Sequence, residues 1–348
     1  MKPLSFVFLM LLMVLCFCSC QSYRTIEIAT YNPAAITFPS EVRTVMIVNN
    51  AAQQPYNSLL QDLNEQAKDS AFSLSADSLA YYFCLSLGKA IAESPVFDDV
   101  RLSNDTFRTD SIFLISRPFT QYEVRTLCDI CHVDALISLD RLYFKNAILK
   151  RTQNNYFNWN YLSIIITGEL KALCPGYQTA LTIPFTDSLQ WATEESVYYN
   201  EVYKFTAEDI HTAMRYLSEF VGEKMHTHFV PYWDDEERWF YTKITSDWKR
   251  ATINAIAGKW DAAAAEWHPL FDKAKKWELK AKLASNLALY YEIKGDFHRA
   301  IEYAETANTL FKNNTAEDDK YREMQQSYLE TLTKRAEDDE KLSLQLRE

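Results

Sequence analysis

The sequence predicts a mixed-sheet α/β sandwich domain followed by an all-helical domain, and three observations support this order. Between Val42 and Phe229, apolar runs of strand length alternate with amphipathic stretches of helical length. Pro231 ends the last of these helices, and an aromatic-rich segment follows it. Beyond that segment the pattern is helical throughout, with turns at Gly258 and Gly295. A chain of 348 residues is long enough for two domains, each with its own core.

The elements of the first domain follow from periodicity and from capping residues. Residues 42–48 (VRTVMIV) are a compact apolar run typical of a central strand. Thr120 and Glu123 have the spacing of a capping box, which predicts the start of a helix. The clearest strand pattern covers residues 161–173, and a turn pairs it with residues 179–185. The other predicted elements are helices from Ser75 or Asp77 to Ser94 and from Thr206 to about Phe229, and strands at 97–102 and 134–142.

The N-terminus has the features of a signal peptide. Lys2 is followed by an apolar run at residues 6–17, which is too short for a stable membrane span. Ser19 and Cys20 come next, and they resemble the lipobox of bacterial lipoproteins, in which a small residue precedes a cysteine that becomes diacylated. Cys18 follows a large phenylalanine, so Cys20 is the predicted lipidation site. We expect a signal peptide at residues 1–19 and a lipidated tether with an edge strand at residues 20–40; an uncleaved anchor is the alternative.

The lipobox resemblance also implies a cellular address. Gln21, rather than an aspartate, follows Cys20, which by the resemblance favours the outer membrane of a Gram-negative cell. No acidic cluster of the kind that directs some such lipoproteins to the cell surface follows Cys20, so we expect the chain to face the periplasm. Two or three acyl chains give durable anchoring. The formal net charge of −11 argues against a nucleic-acid partner.

Residues 281–314 contain two amphipathic helical segments joined by a turn at Gly295. Small residues stand where the two helices would touch, at Ala288, Ala300, Ala304 and Ala307. This stretch resembles a tetratricopeptide repeat (TPR) at nearly every signature position. A degenerate copy surrounds Gly258, and the polar amphipathic helix at residues 316–334 has the character of a solvating cap.

The predicted α/β domain covers residues 41–233, and the helical repeats with their cap cover residues 234–348. This layout resembles an uncharacterised family of Gram-negative envelope lipoproteins, and TPR-like repeats bind other chains. The resemblance therefore implies a non-enzymatic scaffold or tether for an unknown envelope protein. In the repeat family the first helix lines a concave groove, which here implies the partner-binding residues Lys282, Ser285, Asn286, Leu289, Glu292 and Ile293. Alternatively, the repeats are only a helical brace packed on the α/β domain.

An aromatic cluster at residues 231–241 supports a second class of function. Adjacent aromatics in a linker are usually buried, and we expect this segment to seal the two domains together. Alternatively, Trp233 and Trp239 stack on a glycan or another small ligand at this seam. Catalysis has less support, because the chain has only six glycines and lacks a phosphate loop and a nucleophile-elbow motif.

Cys128, Cys131 and His132 form the pattern Cys-x-x-Cys-His, which is the attachment signature of c-type haem. In that signature two thioether bonds hold the haem and the histidine binds the iron. The motif lies where a predicted helix ends before a strand, and Cys131 shares a helical face with Leu127. A buried thiol pair or a local disulfide is the competing interpretation, so no cofactor and no metal are predicted.

Overall fold

This computed structural model describes residues 23–55, 76–108, 110, 112–153, 157–177, 181–196, 207–242 and 246–346. The chain forms two compact units. Within the described ranges, the sheet unit contains residues 33–232 and 342–346, and the helical unit contains residues 23–32 and 233–341. The predicted signal peptide and Cys20 lie outside the described residues.

The elements alternate through the first part of the chain and are helical in the second. In chain order they are β1 (Tyr23–Asn32), β2 (Thr44–Asn49), α1 (Ala76–Ala92), β3 (Asp99–Thr106), α2 (Gln121–Cys131), β4 (Ala135–Gln153), β5 (Phe157–Leu173), β6 (Leu181–Ser196), α3 (Ala207–Lys224), β7 (Tyr232–Tyr241), α4 (Ser246–Ile256), α5 (Trp260–Lys273), α6 (Trp277–Ile293), α7 (Phe297–Asn314) and α8 (Lys320–Leu346). This order confirms the predicted fold class, a mixed-sheet domain with helices followed by a helical-repeat region.

The sheet unit is built on five strands in the order β3-β2-β4-β5-β6. β2 runs parallel to β3 and β4, whereas β5 is antiparallel to both β4 and β6. β2 is almost wholly buried, as its continuous apolar sequence predicts. The predicted hairpin after residue 173 is confirmed, since Ala172 pairs with Leu181.

Helices cover both faces of this sheet. Phe83 of α1 and Leu217 of α3 lie in one apolar cluster with Ile47 and Ile137 of the sheet. On the other face, the buried Val124 of α2 packs in a separate cluster. This packing, a sheet with helices on both faces, follows from strands that are apolar on both sides and helices that are apolar on one.

The helical unit contains α4 to α7 in two antiparallel hairpins, together with β1, β7 and most of α8. Gly258 and Gly295 end the first helix of each hairpin with positive φ angles of 69° and 73°, a conformation that glycine adopts without strain. Asp296 then caps α7 by accepting a hydrogen bond of 3.1 Å from the backbone nitrogen of Arg299. Fully buried alanines fill the close contacts in this unit, among them Ala288, Ala300 and Ala304.

The aromatic segment after Pro231 is a strand rather than the predicted linker. β7 forms a two-stranded sheet with β1, which is the edge strand expected within the tether. Phe240 and Tyr241 at the end of β7 are fully buried in the core of the helical unit. The alternation was obscured because four acidic residues and Arg238 occupy positions between the aromatics. Among the described residues, no helix combines the length and the apolar character needed to cross a membrane.

Candidate functional site

The six residues predicted to line a partner groove all lie on α6, and the structure buries four of them, Ser285, Asn286, Leu289 and Glu292. Lys282 and Ile293 are half-buried. Lys282 forms an ion pair of 2.7 Å with Glu278, one turn away on the same helix. The prediction that this face is an open groove is therefore wrong at the four buried positions.

The backbone of β7 lies against this face of α6 through Asn286. The side-chain oxygen of Asn286 accepts a hydrogen bond of 2.6 Å from the backbone nitrogen of Tyr241, and its amide nitrogen donates one of 2.9 Å to the Tyr241 carbonyl. Both bonds are buried, so they fix the strand firmly on the helix. The chain's own strand thus occupies the place where a partner segment was expected.

Glu292 is the centre of a buried ionic cluster on the same face. Its side chain is fully buried and accepts hydrogen bonds from Arg238, Arg335 and Tyr328, with distances from 2.5 to 3.2 Å. Burial alone would lower the pKa of Arg238, but its bonds to Glu292 and Glu236 raise that pKa above the ordinary value. Burial and then the Glu292 carboxylate raise the pKa of Tyr328, which keeps its hydroxyl protonated as a donor.

An open cleft of about 400 Å³ is lined by side chains of α5, α6 and α7. Three aromatic rings and three polar side chains line it: Phe271, Tyr291, Tyr303, Arg299, Glu302 and Thr306. Its volume is within the range of about 300–1,000 Å³ that is usual for small-ligand sites. The cleft was missed in the sequence because its walls come from three helices, although Arg299, Glu302 and Thr306 have the spacing of one helical face.

The two tyrosines of the cleft are held in fixed positions. Their rings stack with 5.5 Å between centroids and an interplanar angle of 7°. His268 lies behind them, with one ring nitrogen 3.2 Å from the Tyr291 hydroxyl and the other 3.4 Å from the Tyr303 hydroxyl. Burial lowers the pKa of His268, so the neutral imidazole, which donates from one nitrogen and accepts at the other, is favoured.

The two tryptophans predicted to form a ligand seam, Trp233 and Trp239, differ in exposure. Trp233 is the more exposed. It is 69% exposed, and its ring centroid lies 4.8 Å from that of Tyr31 on the neighbouring strand. Trp239 is half-buried and packs on Tyr328 with 5.3 Å between centroids. The two indoles do not form a joint stacking platform, because one is at the surface and the other packs in the interior of the helical unit.

The Cys-x-x-Cys-His segment does not fit a haem. Cys128 is buried in α2, in the apolar cluster between that helix and the sheet, whereas His132 is exposed just beyond the end of the helix. A haem held by both groups would have to lie inside the core and at the surface at once. Burial raises the pKa of the Cys128 thiol to about 12. Cys128 and Cys131 are free thiols, so the local disulfide is not formed and Cys128 is a core residue.

A second polar cluster lies at the edge of the sheet where β2 ends. The Lys171 ammonium is 3.1 Å from the buried Asp140 carboxylate and 3.0 Å from Glu169. Asn50, directly after β2, donates a hydrogen bond of 3.0 Å to Asp140. In sheets with parallel strands, ligands often bind at the carboxyl ends of the strands, at the point where the strand order reverses. Arg141, 3.7 Å from Glu169, is the second cation beside the two carboxylates, so the charges balance and the cluster supports the sheet.

Within the part of the chain that the structure describes, no three His, Cys, Asp or Glu side chains are arranged to hold a metal ion. His211 and His228 are partly buried, and burial lowers the pKa of each. A lowered pKa favours neutral imidazole, but neither ring belongs to a group of three metal-binding side chains among the described residues.

Two protein-family models match the chain. The one described as "Domain of unknown function (DUF8603)" matches residues 42–241, and the one described as "Domain of unknown function (DUF6340)" matches residues 249–334. No curated protein matches. Among solved structures, the chain is similar to a neuraminyllactose-binding hemagglutinin homolog from Helicobacter pylori, with 10% sequence identity and a TM-score of 0.34, over 57% of this chain and 92% of that one. A likeness of this size carries no argument about function.

Proposed function

This chain belongs to the family described as "Domain of unknown function (DUF8603)", and we propose that it is a lipid-anchored, non-enzymatic scaffold of the bacterial cell envelope. In this proposal Cys20 carries the acyl chains, and the protein faces the periplasm from the outer membrane. The TPR-like helical unit holds an envelope protein as its partner. The support for the anchor is the apolar run followed by Ser19 and Cys20, and the support for the partner is the helical-repeat region.

Exposed apolar side chains on α4 support this helix, rather than the predicted groove, as the docking surface for the partner. α4 is the first helix of the repeat region, and two of its apolar side chains, Ile253 and Ile256, are 55% and 51% exposed. They are three residues apart and so lie on one helical face. The end helix of a repeat array commonly carries a polar outer face, and exposed apolar side chains there favour an interface.

Affinity purification of the full-length, lipidated protein from native membranes tests this docking surface. We expect the double variant Ile253→Glu/Ile256→Glu to recover about tenfold less partner, because two buried charges would replace apolar contacts at the interface. Phe220→Glu is the matched control, since Phe220 is also an exposed apolar residue on a helix, but in the sheet unit. Undiminished recovery with the double variant, or an equal loss with Phe220→Glu, would contradict docking at α4.

The second candidate function is glycan or small-ligand binding at an exposed aromatic residue. Its specific support is Trp233, which exposes most of its ring beside Tyr31. An exposed indole face can stack on the apolar face of a sugar. Under this alternative, Trp233→Ala abolishes binding of the ligand and leaves protein partners unchanged.

A further inference from the structure

The first residue of β1, Tyr23, is fixed on the core of the helical unit. The centroid of its ring lies 6.5 Å from that of Tyr241 and 6.4 Å from that of Tyr321, and both contacts are edge-on. The Lys320 ammonium donates a hydrogen bond of 3.0 Å to the Tyr23 hydroxyl. Near the other end of β1, the Thr30 hydroxyl donates a hydrogen bond of 3.1 Å to a backbone carbonyl of β7. β1 is therefore held at both ends, and Tyr23 cannot move away without breaking these contacts.

The predicted lipidation site, Cys20, precedes Tyr23 by only three positions. Three residues span at most about 11 Å, even when the chain is fully extended. The acyl chains of a lipidated cysteine lie in the membrane, which keeps its backbone at the level of the lipid head groups. Lipidation of Cys20 therefore brings Tyr23, and the part of the helical unit around it, to within about 11 Å of the head groups.

The surface around Tyr23 is one end of the helical unit, where α6 and α8 begin and α7 ends. Ring contacts connect these three helices. Tyr321 of α8 lies 6.2 Å from Phe311 of α7, and Phe311 lies 5.8 Å from Trp277 of α6, between centroids. We call this surface, formed by Tyr23 with residues 272–282 and 312–321, the Tyr23 end. The opposite end of α6, at Gly295, is about 25 Å away, since α6 has 17 residues.

The Tyr23 end is formally positive, although the whole chain has a formal net charge of −11. Residues 272–282 and 312–320 together contain seven lysines and five acidic residues. Lys273, Lys275 and Lys276 are all exposed, at the turn between α5 and α6. Lysine ammonium groups near a membrane are attracted to anionic lipid head groups, over a distance of about one Debye length, roughly 8 Å at physiological ionic strength.

The acidic residues of the Tyr23 end are concentrated in the turn between α7 and α8. Glu317 and Asp318 are exposed there and oppose the attraction of the lysines. Asp319 is engaged within the protein, because its carboxylate accepts hydrogen bonds of 2.9 and 3.2 Å from the backbone nitrogens of Tyr321 and Arg322. It therefore caps α8. The three exposed lysines at the neighbouring turn outnumber the two exposed carboxylates of this one.

We infer that the Tyr23 end of the helical unit lies against the membrane that holds the lipid anchor, with Lys273, Lys275 and Lys276 bound to the phosphates of its lipids. This orientation deepens the proposed function and rests on the anchor at Cys20. The Gly295 end of α6 and α7 then points away from the membrane.

Fluorescence quenching in vesicles tests this orientation with the full-length, lipidated protein. The vesicles contain phosphatidylethanolamine and phosphatidylglycerol, and a nitroxide on some head groups quenches fluorophores close to the membrane. Asn313→Cys and His298→Cys each receive a fluorophore, in a chain with Cys131→Ser and Cys174→Ser so that other accessible thiols do not react. Both labelled positions are exposed and lie on α7, one at each end. We expect at least about threefold more quenching at position 313, since about 22 Å of helix separates the two labels.

Charge reversal tests the lysines separately from the anchor. We expect Lys275→Glu/Lys276→Glu to lower the quenching at position 313 about twofold, because this end loses its attraction to the phosphates. Lys259→Glu/Lys334→Glu is the matched control, since it makes the same change of charge at two exposed positions of the helical unit outside the Tyr23 end. The control is expected to leave the quenching unchanged. Circular dichroism of each variant checks that the helical unit stays folded.

The mass of the purified protein distinguishes a wrong orientation from a missing anchor. Equal quenching at positions 313 and 298, in protein whose mass includes the acyl chains, would overturn the orientation and leave the anchor intact. A mass without acyl chains would contradict the anchor and, with it, this inference. Unchanged quenching in Lys275→Glu/Lys276→Glu, or an equal loss in the control, would overturn phosphate binding by the lysines.

Discussion

Glu292 shows how one residue can hold several elements of the helical unit together. It lies on α6, and it binds Arg238 of β7 and both Tyr328 and Arg335 of α8. A buried carboxylate is costly unless it is paired, and here two guanidinium groups and a hydroxyl surround it. Because the two arginines are themselves poorly exposed, each depends on the same anion.

Substitution of Glu292 is therefore expected to destabilise the helical unit strongly. Glu292→Gln keeps the shape of the side chain but leaves Arg238 and Arg335 without their shared anion, which we expect to cost about 3 kcal/mol in the free energy of unfolding. The measurement is urea denaturation followed by tryptophan fluorescence. Glu278→Gln on the same helix removes an exposed carboxylate paired with Lys282, and we expect it to cost less than about 0.5 kcal/mol. Equal effects of the two substitutions would contradict the role of the cluster.

The sequence places Asn286 and Glu292 on one face of a helix but does not show what covers that face. Helical spacing is a local property, and it correctly predicts two helices joined at Gly295 within residues 281–314, although the first of them is buried on nearly every side. The covering strand contributes Tyr241 and Arg238, which are 45 and 54 residues away from their respective partners. In the local sequence, a polar residue that faces solvent cannot be distinguished from one that is paired in the interior. Asn286 and Glu292 were therefore predicted to line a partner groove.

At the scale of elements, sequence patterns predicted the features that depend only on neighbouring residues. The capping box predicted at Thr120 and Glu123 is confirmed, with the Glu123 carboxylate 2.8 Å from the Thr120 backbone nitrogen and the Thr120 hydroxyl 3.3 Å from the Glu123 nitrogen. β7 was predicted as a linker, because acidic residues occupy several of its positions. Arg238 of β7 is buried because it pairs with the carboxylate of Glu292, which is far away in the sequence. A short stretch of sequence around β7 therefore cannot predict this burial.

The approach of α1 to α3 gives a prediction at this scale. A Cβ atom on Gly222 of α3 would lie 2.3 Å from the carbonyl oxygen of Phe83 in α1, and backbone cannot easily move aside. We expect Gly222→Ala to lower the free energy of unfolding by about 2 kcal/mol, although alanine is the better helix former by about 1 kcal/mol. Thermal denaturation followed by circular dichroism measures this change.

Gly88 of α1 provides the control for Gly222. A Cβ atom there would meet only the end of the Ile47 side chain, at 3.0 Å, and that end can shift. We expect Gly88→Ala to change the melting temperature far less than Gly222→Ala. A larger loss of stability at position 88 than at position 222 would contradict the close backbone approach of the two helices.

At the scale of the whole molecule, the sequence predicted the order of the two fold classes along the chain, but not which segments belong to which unit. β1 precedes the sheet unit in the chain, yet it pairs with β7 in the helical unit. The end of α8 belongs to the sheet unit, where Gln345 accepts a hydrogen bond of 2.8 Å from the Ala34 backbone nitrogen. Such pairings join segments far apart in the chain, and periodicity carries no information about them.

The lipid anchor at Cys20 is the part of the proposed function on which the cellular address depends. It can be tested in the native host by metabolic labelling with an alkyne-bearing palmitate, followed by separation of inner and outer membranes. We expect the wild-type chain and Cys18→Ser to carry the label and to fractionate with the outer membrane, because the small Ser19 precedes Cys20. Cys20→Ser is expected to lose the label. Label retained by Cys20→Ser, or lost only in Cys18→Ser, would contradict anchoring at Cys20.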